Sequence, residues 1–210
     1  MKMKISHIIA TTTPMVKKNV VTVSMLLLLL GISDYPAAGA SLHEDKAVTH
    51  TQTAPITVTH IRIVSDQPFQ DVRRNLEAVL PKLDAAIFRA LREGDHSRVD
   101  DYEKNGPELS IFLEREHGLL LQIWGKPGKV VQYEIGNPAT AVKMVRYQLA
   151  AALYAPLRVV LYENDEGKGV FEYDKPSSLF GQNGDARILE VAYRLDAAIE
   201  KVLLKAASGE

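Results

Sequence analysis

Residues 157–173 read LRVVLYENDEGKGVFEY and contain two strand-forming runs separated by a short polar turn. Both runs are rich in β-branched and aromatic residues, and the Asn-Asp-Glu-Gly segment at 164–167 has the composition of a tight turn. Two strands joined by so short a connection must pair antiparallel, because a parallel crossover needs a dozen or more residues. The stretch therefore predicts a hairpin and, with it, an antiparallel sheet.

More strands are predicted upstream of this hairpin. Residues 119–124 and 130–135 are predicted to form another hairpin around Gly-Lys-Pro-Gly-Lys at 125–129, since Pro-Gly supplies the backbone angles of a turn. Alternating apolar residues predict a strand at 108–114, and a β-branched run predicts the first strand at 56–64.

Three helical regions are predicted around these strands. Apolar residues recur at spacings of three and four over 72–91, where Pro81 predicts a kink or the first turn of a second helix. Asn137 followed by Pro138 predicts the start of another helix, and Asp185 predicts the start of the last. The buried stripe of the middle helix is predicted to comprise Val142, Val145, Leu149 and Leu153.

The resulting order is β-α-βββ-α-ββ-α, with a polar connection of partly helical character at 93–107. Hairpins imply antiparallel pairing, and helices must cover the apolar face of the sheet. We therefore expect an α+β fold with an antiparallel sheet of about five to six strands covered by helices. The chain lacks the strand, glycine loop and helix of a dinucleotide-binding unit.

The first 40 residues have the pattern of a secretory signal. Lys17 and Lys18 precede the uncharged apolar run 20–32, and Ala38-x-Ala40 has the spacing of a cleavage site. The run is shorter than the roughly 20 residues of a membrane span. We expect export to the periplasm or the extracellular space, cleavage after Ala40 and no stable membrane span afterwards, while a retained anchor remains open.

The polar stretch 41–55 is predicted to be a flexible lead-in to one domain at 56–210. The leader holds four lysines and one aspartate, so residues 41–210 carry 21 basic and 25 acidic residues. This acidic balance argues against nucleic-acid binding. The chain has no cysteine, which excludes disulfides, thiol catalysis and a lipoprotein anchor. No cofactor is predicted.

A copper- or nickel-binding motif would form if cleavage follows Ala40. The mature chain would then begin Ser41-Leu42-His43, whose amine, amides and imidazole suit the square-planar geometry of Cu(II) and Ni(II). His50 is near enough in the predicted flexible tail to add a ligand, although a histidine at the third position often arises by chance.

The polar segment 174–184 is the densest candidate site in the sequence. It contains Asp174, Ser177, Ser178 and Gly181 and is predicted to be a long loop that ends at a helix N-terminus, where anions can bind. Its polar groups could equally hydrogen-bond the loop to itself. There is no G-x-S-x-G motif, and nothing in the sequence brings a histidine to these serines.

Three blocks give the chain a family resemblance: VQYEIGNP at 131–138, LYAPLRVV at 153–160 and EYDKPSSLFGQ at 172–182. Together they resemble the bacterial "domain of unknown function 302" over about residues 56–205. The resemblance implies a sandwich like that of the TATA-box-binding protein, commonly a homodimer, and no established activity. Its shared positions are Asn137, Pro138, Tyr154, Pro156, Arg158, Asp174, Ser177, Ser178 and Gly181.

We expect an exported, non-catalytic domain that binds a small ligand or a partner, with segment 174–184 at the mouth of the site. The predicted ligand-binding residues are Asn137, Tyr154, Arg158, Asp174, Ser177, Ser178 and Gly181. The alternative is a hydrolase or isomerase that uses Asp174, Ser177 and Ser178. A structural partner in an envelope assembly is a third class, which would show an exposed apolar patch.

Overall fold

The computed structural model describes residues 49–210, of which residues 52–210 form one compact unit. The centre of this unit is a sheet of five strands. These are β1 (His60–Pro68), β2 (Ser110–Glu116), β3 (Val130–Gly136), β4 (Leu157–Glu163) and β5 (Lys168–Asp174). Every neighbouring pair is antiparallel, and the order across the sheet is β1-β5-β4-β3-β2.

Helices occupy the connections and the C-terminus. They are α1 (Phe69–Val79), α2 (Ala86–Glu93), α3 (His96–Asn105), α4 (His117–Gln122), α5 (Pro138–Val145), α6 (Pro176–Phe180) and α7 (Ala186–Ser208). Short 3-10 helices lie at Leu149–Tyr154 and Gly181–Asn183. The expected α+β class, an antiparallel sheet covered by helices, is confirmed.

The hairpin of β4 and β5 forms as the sequence predicts. The Asn164 side chain closes the turn, because its Oδ1 accepts hydrogen bonds from the backbone of Glu166 at 3.0 Å and of Lys168 at 2.9 Å. Gly167 has a positive φ of 78°, a conformation that favours glycine. The chemistry of this turn thus favours the pairing of the central strand β4 with its neighbour β5.

One face of the sheet forms the core. Val131, Tyr133 and Ile135 of β3 point to this face with Val159 and Leu161 of β4, and all five are fully buried. Helices α1 and α7 pack against this face and against each other. The buried side of α7 follows the predicted spacing, and Asp185 caps it by accepting a hydrogen bond from the Arg187 amide.

The prediction of a strand at 119–124 is wrong. These residues belong mostly to α4 and the turn after it, and β2 pairs directly with β3 across the whole connection 117–129. A short apolar run is compatible with either a strand or a helix, so periodicity could not decide between them.

The prediction of a loop at 174–184 is also wrong. Asp174 ends β5, and the following residues form α6 and the 3-10 helix Gly181–Asn183 before α7 begins. Pro176 occupies the first turn of α6, where a missing amide hydrogen costs nothing. Segment 174–184 is therefore an ordered helical corner.

Helix α5 begins as predicted but ends early. Asn137 caps it by accepting a 3.1 Å hydrogen bond from the Thr140 amide, with Pro138 in the first position. The helix ends at Val145, so the predicted stripe does not continue, and Leu149 and Leu153 are 80% and 76% exposed. Val142 is exposed as well, because Pro138, Ala139 and Met144 form the buried side instead.

Pro81 marks a helix boundary, and it lies in the connection between α1 and α2, outside the first turn of α2. Its carbonyl accepts a hydrogen bond of 2.9 Å from the Ile111 amide, which covers the start of the edge strand β2.

Among residues 49–210, no helix is long and apolar enough to cross a bilayer.

Candidate ligand-binding site

An apolar cavity of about 400 Å³ lies where the ends of β2, β3 and β4 meet the helices. Its walls come from α2, α5, α6 and α7 as well as from the sheet. The lining residues are Phe88, Leu91, Phe112, Ile135, Gly136, Asn137, Pro138, Thr140, Ala141, Val142, Met144, Ala155, Pro156, Leu157, Phe180 and Leu195. We call it the α5 cavity. Its volume falls within the range of about 300–1,000 Å³ typical of small-molecule sites.

The backbone at the end of β3 opens room for this cavity. Gly136 has no side chain, and a Cβ at this position would lie 3.5 Å from both the Phe112 ring and the Pro156 ring. A larger residue would therefore have to occupy the space between these two rings. The chain then turns at Asn137 into α5, whose Ala141 and Met144 continue the wall.

Aromatic rings frame the α5 cavity on two sides. Phe88 and Phe112 form an edge-to-face pair with 6.2 Å between centroids, and Phe88 is 41% exposed at the rim. On another side, the buried Phe180 ring packs edge-to-face against Tyr154 at 5.8 Å. Such rings offer large apolar contact areas with few internal rotations to restrict.

Polar side chains contribute little to the cavity wall. Among the lining residues in the described chain, only Asn137 and Thr140 carry polar side chains. The Asn137 amide is already engaged, because its oxygen accepts from the Thr140 amide and its nitrogen donates to the Pro107 carbonyl at 3.0 Å. The site therefore favours a ligand whose buried surface is almost entirely apolar.

The predicted site residues divide into three groups. Asn137 lines the α5 cavity, and Tyr154 lies next to it, where its hydroxyl donates to the Gln182 side chain at 3.2 Å. Ser177, Ser178 and Gly181 instead line a separate, open depression of about 410 Å³ together with Pro55, Ile56, Thr57, Gln182 and Leu189. Arg158 and Asp174 lie on the opposite face of the sheet.

The hydrogen bonds of the two serines hold the corner together. The Ser178 hydroxyl donates to the Lys175 carbonyl at 2.7 Å and accepts from the Thr59 amide at 3.0 Å. The Ser177 amide donates to the buried Asp196 carboxylate at 2.8 Å. In residues 49–210, no hydrogen bond joins either serine hydroxyl to a histidine or a carboxylate. This geometry favours a structural role for Ser178 over a nucleophilic one.

The face of the sheet away from the core carries an ionic network. His60 contacts Asp174 at 2.9 Å through Nδ1 and Glu172 at 3.2 Å through Nε2, so both ring nitrogens face carboxylates. Glu172 also accepts hydrogen bonds from the Tyr162 hydroxyl at 2.7 Å and from Arg62 at 3.1 Å. The side chain of His60 is 56% exposed, so water screens these contacts.

The contacts in this network shift the pKa values of His60 and Glu172. Hydrogen bonds to Asp174 and then to Glu172 raise the pKa of His60 above its usual value. The hydrogen bond from Tyr162 is the largest cause that lowers the pKa of Glu172, and the bond from His60 adds to it. These contacts thus favour the protonated form of His60 and the ionised form of Glu172.

The predicted metal motif at His43 lies outside the described residues. Within residues 49–210, no group of three or more histidine and carboxylate side chains is arranged to hold a metal ion.

Sequence reasoning missed most of the α5 cavity. Phe88, Phe112 and Met144 come from three distant segments and share no motif. The available signals were Pro138 and Pro156, which lie in the family-like blocks and line the cavity beside Asn137.

Comparison with known proteins supports the resemblance seen in the sequence. Residues 105–205 match the family model described as "Domain of unknown function DUF302", which confirms the predicted likeness over this part of the chain. A crystal structure of an uncharacterized conserved protein DUF302 from Bacillus stearothermophilus has a TM-score of 0.47 and 19% sequence identity, and covers 70% of this chain and 94% of that one. No curated protein matches the chain.

Proposed function

We propose that this protein, whose residues 105–205 resemble a family of unknown function, binds a small apolar molecule in the α5 cavity and does not transform it. The observation that carries the proposal is a cavity of about 400 Å³ with almost wholly apolar walls. Filling an apolar cavity of this size with an apolar ligand is favourable, because it removes apolar surface from water and adds dispersion contacts with the lining.

The lining also indicates the chemistry of the ligand. No charged side chain is among the residues that line the cavity in the described chain, so a charged group would be costly inside it. Thr140 offers a single hydroxyl near the start of α5, and the aromatic pair of Phe88 and Phe112 suits a flat or branched hydrocarbon body. The proposed ligand class is therefore a neutral, mainly hydrocarbon molecule with at most one polar end.

The proposal includes export and a homodimeric state. The leader pattern at 1–40 supports export to the periplasm or outside the cell. The exposed Leu149 and Leu153 on the 3-10 helix Leu149–Tyr154 support a contact surface for a second copy of the chain. Cell fractionation with N-terminal sequencing tests export, and a mature chain that still starts before Lys17 would count against cleavage. Light scattering at increasing protein concentration tests the homodimeric state.

Ligand binding is tested with a neutral, apolar dye, N-phenylnaphthylamine, whose fluorescence rises in an apolar site. Ala141→Phe places a ring in the α5 cavity from a half-buried helical position and should abolish saturable dye binding. The matched control is Ala78→Phe on the exposed side of α1, away from the cavity, which should leave binding unchanged.

Two results would overturn the proposal. One is equal dye binding by both variants, since the dye would then bind elsewhere on the surface. The other is an unchanged melting temperature of the wild-type chain over a library of neutral apolar molecules, because a ligand that binds only the native state must raise it. Mass spectrometry of solvent extracts from the purified protein would identify a co-purified ligand directly.

A further inference from the structure

The segment 117–129, HGLLLQIWGKPGK, carries several large apolar side chains that are exposed. Leu119 and Leu120 are 60% and 57% exposed, and Ile123 and Trp124 are 80% and 82% exposed. We call these four residues the apolar tip. Large aliphatic and aromatic side chains this exposed on one short segment mark an interaction surface.

The apolar tip is held in place by the rest of α4 and its turn. Gly118 packs so closely against the Gly128 carbonyl that a Cβ at 118 would collide with it. The Trp124 and Lys126 amides both donate to the Leu121 carbonyl, at 3.1 and 3.2 Å. These contacts fix the backbone of the segment, so the four side chains stay on the outside in the folded protein.

A lysine side chain borders the apolar tip. The segment 117–129 contains Lys126, Lys129 and His117 but no acidic residue, whereas the whole chain has a formal charge of −1. Lys126 is exposed beside Trp124 in sequence, and Lys129 pairs with Glu163 at 2.5 Å. Lys126 therefore adds a positive charge to an apolar surface, and such a surface complements one whose interior is hydrocarbon and whose boundary is anionic.

We propose that the apolar tip docks the protein onto an anionic phospholipid bilayer. Tryptophan favours the boundary between acyl chains and headgroups, where its apolar ring and its N–H are both accommodated. Leucine and isoleucine enter the acyl region, and lysine side chains reach back to the phosphates. The contact is peripheral, because α4 has six residues and cannot span a membrane.

The chain carries its own probe for this contact, because Trp124 is its single tryptophan. The full chain is mixed with vesicles of phosphatidylglycerol, and with vesicles of phosphatidylcholine as the neutral comparison. With the anionic vesicles, Trp124 emission should move to shorter wavelength, and lipids with brominated acyl chains should quench it. Because the signal arises at residue 124, membrane association through the leader does not produce it.

Variants separate the two components of the contact. Ile123→Asp removes an exposed apolar side chain and should weaken the Trp124 response to vesicles about tenfold or more. Lys126→Glu reverses one charge and should weaken it at least about fivefold on anionic vesicles. The control is Leu204→Asp, which changes a leucine that is 50% exposed on α7, outside the apolar tip, and should have no effect. Circular dichroism checks that every variant is folded.

Three outcomes would overturn the proposal. Vesicle association without any change in Trp124 emission or quenching would place the contact elsewhere. Equal responses of Ile123→Asp and Leu204→Asp would remove the specificity for the apolar tip. A shift of Trp124 emission that grows with protein concentration in the absence of lipid would assign the surface to a second copy of the chain.

Discussion

The Tyr133 hydroxyl donates a hydrogen bond of 2.9 Å to Oε1 of Glu77, which joins the middle of the sheet to helix α1. Tyr133 is fully buried, and Arg73 donates to the same carboxylate oxygen at 2.8 Å. Burial and this hydrogen bond raise the pKa of Tyr133 above its usual value, so the hydroxyl remains a donor at neutral pH. The contact orients α1 over the core.

Replacing Tyr133 with phenylalanine should lower the free energy of unfolding by about 1–2 kcal/mol, because the hydroxyl is lost while its buried surroundings remain. Urea denaturation measures the change. Tyr193→Phe is the control, since Tyr193 is 58% exposed on α7 and should tolerate the change. Equal stability of the two variants would show that the hydrogen bond contributes nothing.

Asp196 should anchor the corner that contains α6. Its carboxylate is buried and accepts the Ser177 amide, so Asp196→Ala should lower the free energy of unfolding by about 1–3 kcal/mol. Asp196→Asn keeps an acceptor oxygen and should retain most of the stability. Asp100→Ala on the exposed side of α3 is the control. The expectation fails if Asp196→Asn lowers the free energy of unfolding as much as Asp196→Ala does.

His60 should make stability depend on pH. Its pKa is raised in the folded state, so its ion pairs contribute fully below the ordinary value of 6.5 and are lost as pH rises through the raised value. The melting temperature should therefore fall slightly as pH rises from 6.5 to the raised value, and it should level off above that value. His60→Gln should flatten this decline, while His96→Gln in the exposed start of α3 should not. An unchanged profile in His60→Gln would contradict the assignment.

Gly118 should tolerate alanine less well than Gly128 does. A Cβ at Gly118 would meet the backbone carbonyl of Gly128, whereas a Cβ at Gly128 would meet only the movable end of Leu121 at 2.7 Å. Gly118→Ala should thus displace α4, lower the melting temperature and alter the near-ultraviolet signal of Trp124. Gly128→Ala should show a smaller change in both. The reverse ranking would mean that the backbone at Gly118 moves away from the Gly128 carbonyl easily.

Local chemistry explains why some elements were predictable. The turn at Asn164 to Gly167 and the caps at Asn137 and Asp185 each depend on residues next to one another, and all three form as expected. The run at 119–124 was misassigned because its side chains face water, and no periodicity distinguishes an exposed apolar helix from a strand.

The candidate site was less predictable than the fold. The α5 cavity brings together Phe88, Phe112, Met144 and Phe180, which are apolar and far apart in sequence. In the polar segment 174–184, by contrast, the Ser178 hydroxyl and the Ser177 amide form hydrogen bonds that stabilise the helical corner itself. Polar residues are conspicuous in a sequence, whereas the shape of an apolar cavity arises only from packing.

The pairing of β1 with β5 has a consequence for the order of events during synthesis. His60 and Asp174 are partners in the sheet although they lie 114 residues apart. The first strand therefore leaves the ribosome long before its partner exists, and its closing contact is among the most non-local in the fold. The native sheet can be completed only after nearly the whole polypeptide has been released.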